Sequence, residues 1–287
     1  RALEAQQDLD GAAEAYRASL EEVPSAEAPL TSLARLLVNS GRDAEAEALL
    51  AEQIAAYPDQ LRAKYLLAEV YAKQGKLSDA ERAYRRVLDQ QPEASGAYVG
   101  IAGLYPAASD ERLAALKEGI GVFPGDVQLG LALGSTYEKR GDYSAAIDAY
   151  ETALGASDDD VLASNLAALL LDYRDDPASH ARALELAGRF EGRANRHPLN
   201  TAVLGWAYYR NGDSAKAVRY LELAVAEVGQ LPQLHYYLGM AYLENGNAVG
   251  ARQELTTAVD AAEATGASFT GLDDARAALE RLDAAAG

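Results

Sequence analysis

Four stretches of the chain repeat one another in register: LLAEVYAKQGK at 66–76, LGSTYEKRGD at 133–142, LGWAYYRNGD at 204–213 and LGMAYLENGN at 238–247. Aligning Tyr71, Tyr137, Tyr208 and Tyr242 places Gly75, Gly141, Gly212 and Gly246 four residues on, and Ala80, Ala146, Ala217 and Ala251 five beyond those. The register continues through Tyr84, Tyr150, Leu221 and Leu255 to Val87, Ala153, Ala224 and Ala258. The underlying period is 34 residues, as the step from Tyr208 to Tyr242 shows. A period of this length marks a chain assembled from small, similar folding units, each contacting its neighbours.

The chemistry inside one period specifies two helices. Leu67, Val70 and Tyr71, followed by Ala80, Ala83, Tyr84, Val87 and Leu88, form an apolar stripe at helical spacing on each of two successive segments. Small residues at Ala68, Gly134, Gly205 and Gly239 on the first segment, and at Ala80, Ala146, Ala217 and Ala251 on the second, allow close backbone approach. The glycine between the segments can take the left-handed conformation that ends a helix. Such a pair cannot bury its remaining apolar surface alone, so neighbouring pairs must stack. Residues 1–287 are therefore expected to form one elongated all-α solenoid. The segment GLDDARAALERLDAA, about 271–285, has helical periodicity without a second half and suits a charged capping helix.

The Leu-Gly, Tyr, Ala, aromatic, Pro spacing resembles the tetratricopeptide repeat over nearly the whole chain. The register gives a half repeat at 1–26 and full repeats at 27–60, 61–94, 95–126, 127–160, 161–197, 198–231 and 232–265. Ser157 and Asp158 replace a terminal proline, the unit at 95–126 is short and the unit at 161–197 is long. The turns PAASD at 106–110 and DYRDDPASH at 172–180 are the expected sites of this irregularity. The resemblance implies a right-handed superhelix of antiparallel helix pairs whose first helices line a concave groove for peptides or partner helices.

Charge and composition restrict the partners. The chain has 26 Lys plus Arg against 44 Asp plus Glu, a formal charge of -18, which repels nucleic-acid phosphates and anionic membrane surfaces. Nucleic acid is thus not an expected partner, and neither is direct membrane insertion, because no apolar run reaches the roughly 18 residues of a membrane span. The absence of cysteine excludes disulfides, thiolate metal sites and a cysteine nucleophile, while leaving the compartment open between cytoplasm and bacterial periplasm or envelope. The chain opens at Arg1 without methionine or a signal-like segment and reads as part of a longer protein.

No catalytic residue is expected. The three histidines, His180 in the lengthened turn, His197 at a repeat junction and His235 on a first helix, have no ligand-spaced partners for a metal site. Asp158, Asp159 and Asp160 lack the spacing of a calcium loop and sit where a helix needs an N-cap. Phosphate-loop, dinucleotide and nucleophile-elbow patterns are missing. No cofactor or metal is assigned.

What remains is recognition by surface. Projecting the register onto the groove selects Arg35, Arg62, Tyr65, Lys73, Lys139, Asn165, Trp206, Tyr209, Arg210, Tyr236, Tyr237 and Met240. Arginine, methionine and aromatic residues are the types enriched at interfaces. Trp206 is equally suited to packing across a repeat junction against Tyr236 or Met240, so both roles stay open. Of the positions that carry asparagine in carboxylate-clamp and sugar-transferring members, only Asn165 fits, which disfavours a receptor for acidic chaperone tails. The last three repeats resemble those of bacterial envelope proteins linked to exopolysaccharide or protein export. The expected function is a non-catalytic scaffold for a protein or peptide. A self-assembling homodimer module and a regulatory array on a larger enzyme are the alternatives.

Overall fold

A computed structural model describes residues 9–192 and 197–286. Residues 1–8 of the expected half repeat, residues 193–196 of the expected repeat 161–197, and residue 287 lie outside the described residues. The described residues form sixteen α-helices and no strand. They divide into two compact units, Arg1–Asp142 and Tyr143–Gly287. The first holds α1 (Leu9–Glu22), α2 (Glu27–Asn39), α3 (Asp43–Ala56), α4 (Leu61–Lys73), α5 (Leu77–Gln90), α6 (Ser95–Gly103), α7 (Asp110–Val122) and α8 (Val127–Lys139). The second holds α9 (Tyr143–Gly155), α10 (Asp160–Tyr173), α11 (Pro177–Gly188), α12 (Pro198–Arg210), α13 (Ser214–Val228), α14 (Pro232–Glu244), α15 (Ala248–Thr265) and α16 (Leu272–Ala286). The fold is an all-α helical-repeat array of the solenoid type.

The recurring glycine is a backbone requirement. Lys76 N–H donates to Tyr71 O at 2.9 Å, Asp213 N–H to Tyr208 O at 2.9 Å and Asn247 N–H to Tyr242 O at 2.8 Å, each bond spanning a glycine. Gly75, Gly212 and Gly246 reach φ of 72°, 83° and 79°, where a Cβ would be strained. The tyrosine four residues earlier contributes its ring instead: Tyr208 stacks on Tyr220 with centroids 5.7 Å apart and lies 4.6 Å beneath the Lys216 ammonium.

Close approach within a pair has a measurable limit. A Cβ built on Gly205 of α12 would lie 2.7 Å from Leu221 Cγ and 3.1 Å from Leu221 N on α13. Gly239 of α14 meets Leu255 of α15 at the same two distances. Each small residue thus faces the buried leucine four positions after the conserved-register alanine, so both helices interlock. In the first unit the core runs through Leu30, Leu33, Leu37, Leu50, Leu66 and Val70. In the second it runs through Leu162, Leu166, Leu171, Leu204, Leu221 and Leu255, all fully buried.

Stacking of pairs places first helices side by side. In the first unit α2 touches α4 and α6 touches α8; in the second α10 touches α12, α12 touches α14, and α14 touches α16. Second helices make no comparable contact with one another among the described residues. Within each unit the first helices therefore form the inner side of the stack.

The irregular units differ from expectation in where they absorb their length. The 95–126 unit shortens its first helix to nine residues and then uses a six-residue connection, 104–109, in place of a tight turn. In the 161–197 unit, Asp172 and Tyr173 end α10 and His180 lies inside α11, so the connection is only 174–176, as short as those at 74–76 and 211–213. The lengthened turn and the loop position of His180 are thereby corrected. Asp176 caps α11 by accepting from Ser179 N, and Pro177 supplies the first helical residue, which starts the helix earlier than the DYRDDPASH composition suggests. α11 ends at Gly188 and α12 begins at Pro198.

Glycine-to-alanine substitutions should separate these roles in urea unfolding. Gly205→Ala should cost about 1–3 kcal/mol through the Leu221 clash, and Gly212→Ala about 1 kcal/mol or more through its positive φ. Gly121→Ala, in α7 with no atom within 4 Å of the added carbon, should instead stabilise by about 0.5–1 kcal/mol. Equal effects at the three positions would exclude this account.

Candidate functional site

An aromatic stack occupies the inner side of the second unit. Trp206 on α12 stacks on Tyr209 one turn later, with centroids 4.5 Å apart and planes 7° apart, and on Tyr237 of α14 at 4.3 Å and 15°. Tyr236 closes the group from the side at 5.6 Å, and the Arg210 guanidinium carbon lies 5.9 Å from the indole. Trp206, Tyr236 and Tyr237 are buried, at 3%, 6% and 7% exposure. Tyr236 and Tyr237, projected onto the groove, are packed, and so is Trp206, whose packing across the repeat junction was one of its two open roles: neighbouring first helices are close enough for rings on α12 and α14 to fill the space between them. Tyr209, Arg210 and Met240 are half-buried.

Beside this stack lies a carboxylate that the sequence reading did not select. Tyr237 Oη donates to Asp172 Oδ1 at 2.8 Å, and Gln233 Nε2 donates to Oδ2 at 3.0 Å. Burial pushes the Asp172 carboxyl above its usual range, opposed by the donors from Tyr237 and Gln233 and by the indole of Trp206 nearby. That indole Nε1–H is buried and makes no direct hydrogen bond. Tyr237 is held well above the ordinary phenol range by burial and by the adjacent Asp172 charge. A lone acid following the apolar run AALLL at the end of α10 was the available signal. Its significance depends on Tyr237, sixty-five positions away.

Asp172 separates two hollows. One, of about 450 Å³, is bounded by Tyr173, Trp206, Arg210, Tyr236, Thr270 and Asp274. The other, of about 380 Å³, is bounded by Asn165, Leu199, Val203, Leu231, Leu234 and Phe269. The connection between α15 and α16 forms one wall of both. Thr270 Oγ1 donates to Tyr173 Oη at 3.2 Å and the Phe269 ring lies 5.7 Å from Tyr236. Arg210 is engaged: it donates to Asp175 Oδ1 at 2.6 Å and to His180 Nε2 at 2.7 Å.

The remaining candidates lie in the first unit. Arg35 and Lys73 border a hollow of about 320 Å³ between α2 and α4, together with Glu69 and Asn39. Lys73 Nζ donates to Val38 O at 2.8 Å. Arg62 instead bonds Thr31 Oγ1 at 3.0 Å and lies 5.7 Å from the Tyr65 ring, which packs edge-on against Tyr84. Lys139 is exposed at the end of α8. The cations therefore form separate local groups.

The other polar residues read from the sequence have structural partners. Asp159 Oδ1 accepts from Val161 N and Leu162 N, capping α10. His197 Nδ1 accepts from Leu199 N at the start of α12. His235 faces an acceptor at each ring nitrogen, Glu254 Oε2 at 2.6 Å and Gly229 O at 2.6 Å. Only the doubly protonated ring can donate to both, and the Glu254 hydrogen bond raises the His235 pKa against the opposing effect of burial. Among the described residues no group of three His, Cys, Asp or Glu is arranged to hold a metal ion, and no helix is long and apolar enough to cross a membrane.

The fold is that of a helical-repeat protein in which first helices of successive pairs touch within each unit. Tetratricopeptide-repeat models match the chain at 3–70, 44–102, 129–162 and 203–267. These spans together cover more than half of it, and the chain belongs to the tetratricopeptide-repeat family, whose members generally act as non-catalytic protein-interaction modules. No curated protein matches the chain. Among solved structures it is similar to a chain of the APC/C hetero-tetramer Cut9-Hcn1, with TM-score 0.53 and 17% identity over 94% of this chain and 52% of that one. It is also similar to pilF of Pseudomonas aeruginosa, with TM-score 0.51 and 16% identity over 77% of this chain and 94% of that one. Both likenesses concern the fold.

Two solution measurements follow from the geometry. The single tryptophan should emit at short wavelength and resist iodide quenching; red-shifted, readily quenched emission would contradict the packing of Trp206. Stability held by the His235–Glu254 pair should be fully present below the unfolded histidine pKa of about 6.5. It should be lost as pH rises through the raised folded value. Denaturant midpoints should thus fall across that range, and His235→Gln should flatten the dependence.

Proposed function

We propose that the chain is a non-catalytic scaffold that holds a protein or peptide segment against the first-helix faces of its repeats, within a bacterial export or surface-polymer system. The observation that carries the docking face is the contact of α10, α12 and α14 along the inner side of the second unit, with two open hollows there. The second of these, with mainly apolar walls and a few placed polar groups, is of the kind where ligands most often bind. The cations Arg35 and Lys139, exposed in an acidic chain, add recognition groups on first helices of the other unit. The export setting rests on the resemblance of the last three repeats to envelope proteins. The repeat register, continuous through both units, supports reading 1–287 as a single array.

Photo-crosslinking from individual positions tests this reading. A benzoylphenylalanine at 203 on α12 or 35 on α2 should crosslink to another protein in a source-cell lysate, and the partner should be recovered from the envelope fraction. The same group at 249 on the second helix α15, where Val249 is 81% exposed, should not. Crosslinks confined to 249 would refute the docking face, and crosslinks only to a second copy of the chain would favour self-assembly.

A further inference from the structure

The two hollows of the second unit differ in chemistry while sharing Asp172 as a wall. The carboxylate accepts from the neutral donors Tyr237 and Gln233, which line the 380 Å³ hollow, and it also lines the 450 Å³ hollow. Among the described residues no lysine or arginine forms an ion pair with it, because the nearby Arg210 is held by Asp175 and His180. Trp206 and Tyr236 line this hollow, and exposed Asp274 stands at its rim. A cation entering here would meet the Asp172 carboxylate in a partly desolvated space, where a charge-assisted hydrogen bond strengthens. The lining also holds Arg174 and Arg210, but the three carboxylates Asp172, Asp175 and Asp274 outnumber these two guanidiniums and Arg210 is paired with Asp175, so an entering anion is disfavoured in a chain of net charge -18.

On the other side the walls are mainly apolar. Leu199 and Leu231 are 41% and 39% exposed at its edge, with Val203, Leu234 and Phe269 behind them. Leucines left in water around a concavity contribute little to the fold and can gain burial when an apolar side chain enters.

We infer that these hollows form a two-part receptor for a partner segment in which a lysine or arginine lies close to a bulky apolar residue. The cation enters beside Asp172 and Asp274, and the apolar side chain enters between Leu199 and Leu231. This rests on the proposed docking of partners to the first-helix face and specifies the chemistry of what docks there.

A random peptide library selected on the whole chain, followed by synthesis of the enriched sequences, tests it. Enriched peptides should pair a basic residue with a nearby Leu, Ile, Met or aromatic residue, and fluorescence polarisation should show binding that weakens with salt. Asp172→Asn and Asp274→Asn together should weaken binding about tenfold or more, as loss of a desolvated charge partner does. Asp274→Asn alone, at an exposed position, should weaken it with unchanged melting, which guards against a folding effect at Asp172. Peptides without basic residues that crosslink at 203, or binding indifferent to both substitutions, would overturn the two-part receptor while leaving the scaffold reading intact. Peptides that crosslink only at 249, or no enrichment at all, would overturn both.

Discussion

The distance at which two helices of a pair can lie governs everything built upon them. At Gly205 and Gly239 the facing leucine occupies the space a side chain would need, down to 2.7 Å from a built Cβ. That approach lets Leu221 and Leu255 be fully buried within their own pairs. It also leaves each pair with apolar surface on its flanks, which only the next pair can cover. The glycine turn keeps the connection short, so the helices of a pair remain antiparallel and in register.

Once pairs stack in this way, side chains on successive first helices come within reach of one another. The second unit uses that proximity for an aromatic stack, Tyr209–Trp206–Tyr237, and for the bonds from Tyr237 and Gln233 to Asp172. The stack buries large apolar area and favours stability. The carboxylate does the reverse, since its charge is partly removed from water and among the described residues no cation forms an ion pair with it. A repeat array does not need an acid there to fold. An energetically unfavourable group retained on an open face is a physical reason to look for a function at that face.

The first unit shows how the same geometry can carry different chemistry. Its inner hollow is bordered by Arg35 and Lys73 with Glu69, and its aromatic contact, Tyr65 against Tyr84, is modest beside the four-ring group of the second unit. Tyr84 is tied to the backbone by Gly100, where a Cβ would lie 2.4 Å from the ring. The repeat thus fixes where side chains project, and each unit is free to set charge and shape at those projections.

The period, the two helices per unit, the glycine turns and the small residues that permit close approach were legible in the sequence because each depends on neighbours within about one repeat. Capping by Asp159 was legible for the same reason, as its partners are two and three residues away. The irregular units were harder to place: composition located Pro177 and Asp176, but whether the added residues entered a turn or the following junction depended on where α11 could begin. Surface projection named Trp206, Tyr236 and Tyr237 without deciding that they fill the space between first helices, because that depends on the spacing of α12 and α14. Asp172 stayed hidden in an apolar run, for its hydrogen-bonding partners lie sixty-one and sixty-five residues further on. Sequence determined the local periodic interactions of the repeat; tertiary structure alone decided which side chains of different repeats share a buried environment, since burial and hydrogen bonding there are properties of several helices together.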